Sequence, residues 1–186
     1  YEWESQRVGG PRPILAVTGT DGKTTTVMMA EAILQAAGRS SIACGNTEVP
    51  LVEALDMQVD SFVVEASSFR LAFIESFRAE ASAWLNFDAD HLDWHKSMKS
   101  YEQAKARLWR NVVADDTAIG VSGENAVMRH LQNVACRRRV VGGSGDYRTI
   151  DGILSGPQGV IIAESDLSRS LPHDVLNALV ASALCI

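Results

Sequence analysis

Four residues in a six-residue stretch, Gly19, Gly22, Lys23 and Thr24, form the pattern G-x-x-G-K-T. They follow a short apolar run, Ile14 to Val17, and open a helical pattern from Lys23 to Ala37 that Gly38 ends. A glycine-punctuated turn between strand and helix presents successive backbone N–H groups, and the helix N-terminus adds the positive end of its dipole. Gly19, Thr20, Asp21, Gly22, Lys23, Thr24 and Thr25 are therefore candidates to hold a phosphate chain. Lys23 would meet β/γ-phosphate oxygens, and the Thr24 hydroxyl would reach a bridging Mg²⁺. The usual G-x-x-x-x-G-K-[ST] pattern asks for glycine at Val17, so this is a shortened variant. A plain strand-to-helix turn is the competing reading. A lysine and threonine at a helix start, behind a buried strand, argue against it.

Other chemistry-bearing residues cluster at the ends of apolar runs. Glu65 closes "SFVVE", where a carboxylate would either hold Mg²⁺ or sit solvated at a strand end. "LNFDADHLDWH" crowds Asp88, Asp90, His91, Asp93 and His95 together; His91 with a nearby acid is a metal or acid/base candidate, or simply an exposed loop histidine. In "SYEQAKARLWRNVV" the apolar positions Tyr101, Ala104, Leu108 and Val112 form a core-facing stripe, and Lys105 falls on its margin. That lysine either snorkels to solvent or is partly desolvated, with a lowered pKa and a neutral amine able to react with CO₂. His173 and Asn177 share a helix face at i and i+4. They would serve a base edge, or an unremarkable helix start.

These residues need a scaffold. Runs at Ser41–Ala43, Ser61–Glu65, Ala81–Leu85, Ile119 and Val140 read as strands, with Arg137–Arg139 opening an exposed one. Between them lie helical patterns, one with Ser100 as N-cap and reaching about Val113, another near Glu124 to Leu131. Strands alternating with helices predict an α/β fold, a P-loop-type mainly parallel sheet with helices on both faces. Tyr147 to Ile162 adds an antiparallel hairpin near the C-terminal end.

Composition narrows the function classes. The 186 residues suit one domain, and 46% hydrophobic with 22% charged residues is ordinary for a globular chain. A net charge of −6 argues against nucleic-acid or membrane-surface binding, which needs a basic face. Cys44, Cys136 and Cys185 are odd in number and widely spaced, favouring a reducing compartment. With no run near the ~20 apolar residues of a membrane helix and no signal peptide, a cytoplasmic protein without membrane insertion is expected. Residues 1–12 read as a linker and 13–186 as one domain excised from a longer protein.

Taken together, six segments resemble the central ATP-binding domain of the Mur ligases, the peptidoglycan-precursor amide ligases. "VTGTDGKTTT" is similar to the family's phosphate loop and "CGNTEVP" to its G-N-I-G-x-P segment. "EASSFRL" is similar to E-x-S-S-F-Q-L, and "LNFDADHLDWH" to L-N-x-x-x-D-H-L-D-x-H. "YEQAKARLW" resembles the lysine helix and "HDVLNALVA" the H-N-x-x-N-A-L-A-A helix. The S-S-F-[QR]-L form points to the branch that adds D-glutamate to UDP-N-acetylmuramoyl-L-alanine; the competing readings are another Mur or folylpolyglutamate-type ligase and a nucleotide-binding module without ligase chemistry.

The resemblance implies ATP phosphates on Lys23 and Thr24, with Thr24 and Glu65 on one Mg²⁺. It implies His91 and a carbamylated Lys105 on a second Mg²⁺, Asn46 and Ser67 beside the muramoyl-alanine substrate, and His173 and Asn177 near adenine. It further implies UDP-binding N-terminal and C-terminal domains that these 186 residues lack; the central domain alone should be weak or inactive. Glu48 departs from the pattern where glycine is usual, Asp174 where asparagine is, and Trp94 where arginine is common.

Overall fold

The computed structural model describes residue 4 and residues 6–185. Part of the linker read over residues 1–12, namely 1–3 and 5, lies outside the described residues. Within that stretch Glu4 and Arg12 are buried and paired at 2.7 Å. The Arg12 guanidinium also donates to the carbonyls of Leu55 and Met57 and lies 4.4 Å over the Phe62 ring.

Six parallel strands form the main sheet: β1 (Ile14–Thr18), β2 (Ser41–Gly45), β3 (Ser61–Glu65), β4 (Ala81–Trp84), β5 (Thr117–Val121) and β6 (Arg137–Val141). Their spatial order is β2-β3-β1-β4-β5-β6. The strands read as near-continuous apolar runs because both faces are covered, and alternate residues serve opposite layers. Leu15, Val17, Val63, Ala83 and Ile119 face one core. In that layer pack α1 (Lys23–Ala36), through Val27 and Ala30, and the C-terminal α7 (Pro172–Leu184). Ile14, Ala16, Phe62, Val64 and Ala118 face the other core, with Leu71, Leu108, Trp109 and Leu131. Short helices α2 (Leu51–Ala54), α3 (Ser68–Leu71) and α4 (Leu92–His95) follow β2, β3 and β4; α5 (Met98–Ala106) and α6 (Asn125–Leu131) complete the layers.

Some expectations shift. The helix holding Lys105 is capped by Ser97, not Ser100: the Ser97 hydroxyl accepts from the Ser100 N–H at 3.1 Å. It ends at Ala106 and tightens into a 3-10 turn, Arg107–Trp109, well short of Val113. β4 stops at Trp84, one residue before Leu85. Beyond β6, the expected hairpin is a three-stranded antiparallel sheet, β7 (Arg148–Ile150), β8 (Ile153–Gly156) and β9 (Gly159–Ala163). The run Arg137–Arg139 does open an edge strand, β6.

Candidate active site

Ligands in an open parallel sheet gather at the carboxyl ends of the strands. Here β1 lies between β3 and β4, with Val17 opposite Glu65 and Thr18 opposite Trp84. The glycine turn leaves β1 at that end and runs into α1 through Gly22, whose φ of 81° places it in the left-handed region. A side chain at Gly22 would also collide with Asn177, whose Oδ1 lies 2.7 Å from the position of a Cβ.

The first constellation is Thr24–Glu65–Asn46. The Thr24 hydroxyl donates to Glu65 Oε2 at 2.6 Å, and Asn46 Nδ2 donates to Oε1 at 2.9 Å. Glu65 is 3% exposed, so both carboxylate oxygens are satisfied in a place where a free charge would be costly. A hydroxyl and a carboxylate side by side are hard oxygen donors, a set that suits Mg²⁺. Beside Glu65 opens a cavity of about 220 Å³ lined by Gly45, Val64, Ala66, Arg70, Leu71 and Phe77, among others. Ser67 caps α3, its hydroxyl accepting from Arg70 N.

A second constellation lies under the turn. Lys23 Nζ folds back to donate to the carbonyls of Gly19 (3.0 Å) and Thr20 (2.7 Å). Lys105 Nζ donates to the same Gly19 carbonyl at 2.6 Å and stands 4.6 Å over the Tyr101 ring. Lys105 is no margin residue. Only 1% of it is exposed, and burial, aided by the positive charge of Lys23, pushes its pKa down to about 7. A substantial fraction of neutral amine at neutral pH is what reaction with CO₂ requires.

His91 sits at the N-terminus of α4 with φ 50°, paired with Asp90 (3.2 Å) and packed on Phe69. Tyr101 connects it to the lysine: the His91 and Tyr101 rings are 6.1 Å apart, with Lys105 on the same tyrosine. Among the described residues no three His, Cys, Asp or Glu side chains gather in a metal-binding group.

Behind His91, His95 is buried, its Nε2 2.9 Å from Ser68 Oγ, and desolvation lowers its pKa. At the far edge, His173 is exposed and 3.7 Å from the Asp174 carboxylate, whereas Asn177 is buried against Gly22.

Asn86, two residues beyond the end of β4, was missed as a site residue by sequence reasoning. Its Oδ1 accepts from the N–H groups of Thr20 (2.8 Å) and Asp21 (2.9 Å), and its Nδ2 donates to the Asp21 carbonyl at 3.2 Å. Next to it, the Thr20 hydroxyl bonds with the main chain of Asp88 and lies 3.4 Å from the Tyr101 hydroxyl. Of the candidates on the loop, Thr20 and Asp21 thus have their main-chain donors already engaged. The signal was the dipeptide "LN" at a strand's carboxyl end, which gains meaning only once β4 is known to adjoin β1.

Comparison with known proteins identifies the family and the fold. The family model described as Mur ligase middle domain matches residues 17–185. A UDP-N-acetylmuramoylalanine--D-glutamate ligase of Mycolicibacterium vanbaalenii is 41% identical over 191 residues, covering 97% of this chain and 38% of that protein. The protein of the same name from Nocardia farcinica is 42% identical over 197 residues, covering 98% and 40%. The chain thus spans about two-fifths of the length of these curated relatives. Among solved structures, MurF from Acinetobacter baumannii matches with a TM-score of 0.73 at 19% identity, over 98% of this chain and 43% of that one. MurF ligase from Thermotoga maritima in complex with ADP matches with a TM-score of 0.72 at 15% identity, over 93% and 44%. These structural likenesses speak for the fold.

Proposed function

Because this chain belongs to the Mur ligase family as a middle domain, we propose that it is the ATP-binding part of an amide ligase. That ligase would join D-glutamate to UDP-N-acetylmuramoyl-L-alanine in peptidoglycan precursor synthesis. The observation that carries the reading is the convergence of Lys23, the Thr24–Glu65 pair and the buried Lys105 on one turn. The names of the relatives supply the substrate pair.

The chemistry is a two-step ligation. A carboxylate of the muramoyl-alanine substrate attacks the γ-phosphorus of ATP, and the bond to the ADP oxygen breaks, leaving an acyl phosphate and ADP. The amine of D-glutamate then attacks the acyl carbon, the amide forms, and phosphate leaves. Lys23 would exchange its contacts with Gly19 and Thr20 for phosphate oxygens, placing a positive charge where negative charge develops. Main-chain N–H groups at the start of α1 would grip the phosphate chain. Thr24 and Glu65 would hold one Mg²⁺, and His91 with a carbamylated Lys105 a second; when bound, these ions would neutralise the phosphate charge. Asn46 orients Glu65, and with Ser67 it borders the region where the muramoyl substrate would lie. His173 and Asn177 would serve the adenine side. The three thiols are free, Cys44 in the core, in keeping with a cytoplasmic reaction.

Further domains of the relatives' kind would supply the UDP site and the amino-acid site. An amino-acid panel with the intact ligase tests the substrate. Turnover with D-glutamate far above that with L-alanine or a diamino acid is expected; preference for another amino acid assigns the chain to a different branch of the family. Absence of ATP cleavage with every acceptor would overturn the ligase reading.

A further inference from the structure

Asn86 holds the turn from the side of β4, through the main chain of Thr20 and Asp21. We infer that Asn86 is a positioning residue that sets the phosphate loop in its nucleotide-ready shape before any nucleotide arrives. This rests on the nucleotide-binding reading of the loop.

The argument begins with donors. A phosphate-binding turn works through main-chain N–H groups that point at the ligand and are not otherwise spent. In this turn the Thr20 and Asp21 amides both reach Asn86 Oδ1, at 2.8 and 2.9 Å, and the Thr20 amide is shared with the Asn86 main-chain carbonyl at 3.3 Å, so the Asp21 amide is the one held by the side chain alone. The loop is thereby divided. Its apex is tied to the neighbouring strand, and the donors left for an anion are those at the entrance to α1, from Gly22 onward.

Asn86 reaches the opposite side of the Asp21 peptide as well, donating to its carbonyl at 3.2 Å. Asparagine is suited to this double role because one short planar amide carries both acceptor and donor. The amide is itself anchored, since the Asn86 main-chain carbonyl accepts from Trp84 Nε1 at 3.0 Å and Trp84 is wholly buried.

One consequence reaches Lys23. The Thr20 peptide that Asn86 grips by its N–H is adjacent to the Thr20 carbonyl on which the Lys23 ammonium rests at 2.7 Å. The Thr20 side chain is fixed independently by the main chain of Asp88. Removing the Asn86 side-chain amide leaves Thr20 on its main-chain and Asp88 contacts but strips both ties from Asp21, whose N–H belongs to the same peptide as the Thr20 carbonyl, and that peptide becomes free to rotate. The phosphate donors and the resting place of Lys23 would then lose register together, and a nucleotide would have to order the loop on binding.

The test uses the intact ligase with Mg-ATP as probe, comparing wild type, Asn86→Leu and Asn86→Asp. Asn86→Leu is expected to weaken Mg-ATP binding tenfold or more and to raise the KM for ATP alike, leaving the KM for the amino acid within twofold. Hydrogen exchange at the Asp21 amide should accelerate at least tenfold, while the Thr20 amide keeps its main-chain acceptor at residue 86 and exchange in β1 and β3 is unchanged. General destabilisation would move all of these together. Asn86→Asp keeps an acceptor oxygen and should preserve protection of both amides, which also covers the case in which Asn86→Leu fails to fold. Unprotected Thr20 and Asp21 amides in wild type or in Asn86→Asp, or wild-type ATP affinity in Asn86→Leu, would overturn the inference alone. A wild-type ligase that binds no Mg-ATP would instead overturn the nucleotide reading beneath it.

Discussion

Lys23 and Lys105 point their ammonium groups at the same carbonyl oxygen, that of Gly19, at 3.0 and 2.6 Å. Two like charges on one acceptor is an arrangement that folding alone does not favour. It is relieved if one lysine moves onto phosphate and the other loses its charge, which is what the proposed chemistry asks of each.

Removing the mobile lysine tests the first half. Lys23→Ala in the intact ligase should lower turnover by about 10²–10³-fold, in line with the loss of one preorganised charge at a developing anion. The folded fraction should stay near wild type, because Lys105 still satisfies Gly19. Steady-state kinetics together with a denaturant melt check both. Near-normal turnover would remove Lys23 from the mechanism.

The buried lysine makes a prediction about pH. Its pKa falls from 10.5 to about 7 in the folded chain, mainly through desolvation. Between those values the unfolded chain binds a proton that the folded chain does not, so stability rises with pH across that window. Below about pH 7 both states are protonated and the full penalty of burying the ammonium is present. Lys105→Met should therefore stabilise the chain by about 2 kcal/mol at pH 6, and the gain should shrink as pH rises toward 10. Lys23 continues to serve the Gly19 carbonyl in this variant. Urea melts at pH 6 and pH 9 in CO₂-depleted buffer measure it; a gain that grows with pH contradicts the assignment.

The same amine should be the chain's CO₂ acceptor. Equilibration with ¹³C-bicarbonate at pH 8 should give one slowly exchanging carbamate resonance in the ¹³C spectrum, and Lys105→Arg should abolish it. Persistence of the signal in that variant would place the carbamate elsewhere.

Gly45 offers a purely steric prediction. Its φ is 104°, and a Cβ there would stand 2.5 Å from the Glu65 main-chain oxygen. No flexible side chain is available to yield, so Gly45→Ala should cost about 2–4 kcal/mol. The displaced backbone carries Asn46, so the Asn46–Glu65 hydrogen bond should fail with it. Thermal denaturation reads the first effect and Mg²⁺-dependent nucleotide binding the second.

Away from the site, Asp116 is 1% exposed and takes both arms of Arg78, together with the Val113 N–H at 2.7 Å. Asp116→Ala should destabilise the chain by about 2–3 kcal/mol, at or below the ~3–5 kcal/mol of a broken, fully buried pair. Arg78 is partly exposed and keeps Glu80 at 3.6 Å, which limits the loss. Turnover per folded molecule should not change.

The parts of the fold visible in the sequence are those written in local pattern. Runs such as "SFVVE" are long enough and apolar enough to declare buried parallel strands, and Gly22–Lys23–Thr24 marks a strand-to-helix turn by residue type alone. Ser97 was passed over because Ser100, three residues on, offers the same chemistry; only backbone geometry tells cap from first turn. Lys105 looked marginal because a helical wheel cannot show that Tyr101 and the Gly19 turn close over it. Asn86 was illegible for a related reason. Its partners lie more than sixty positions away, and nothing in a linear reading says that β4 adjoins β1.

The strand feeding the glycine turn has a neighbour on each flank, and each neighbour delivers one of the groups that complete the site: Glu65 from β3 and Asn86 after β4. The proposed nucleotide pocket therefore requires β3 and β4 both to be docked on β1. ATP would select against partially unfolded species in which β1, β3 or β4 has come away, and its stabilisation should grow with the logarithm of ligand concentration.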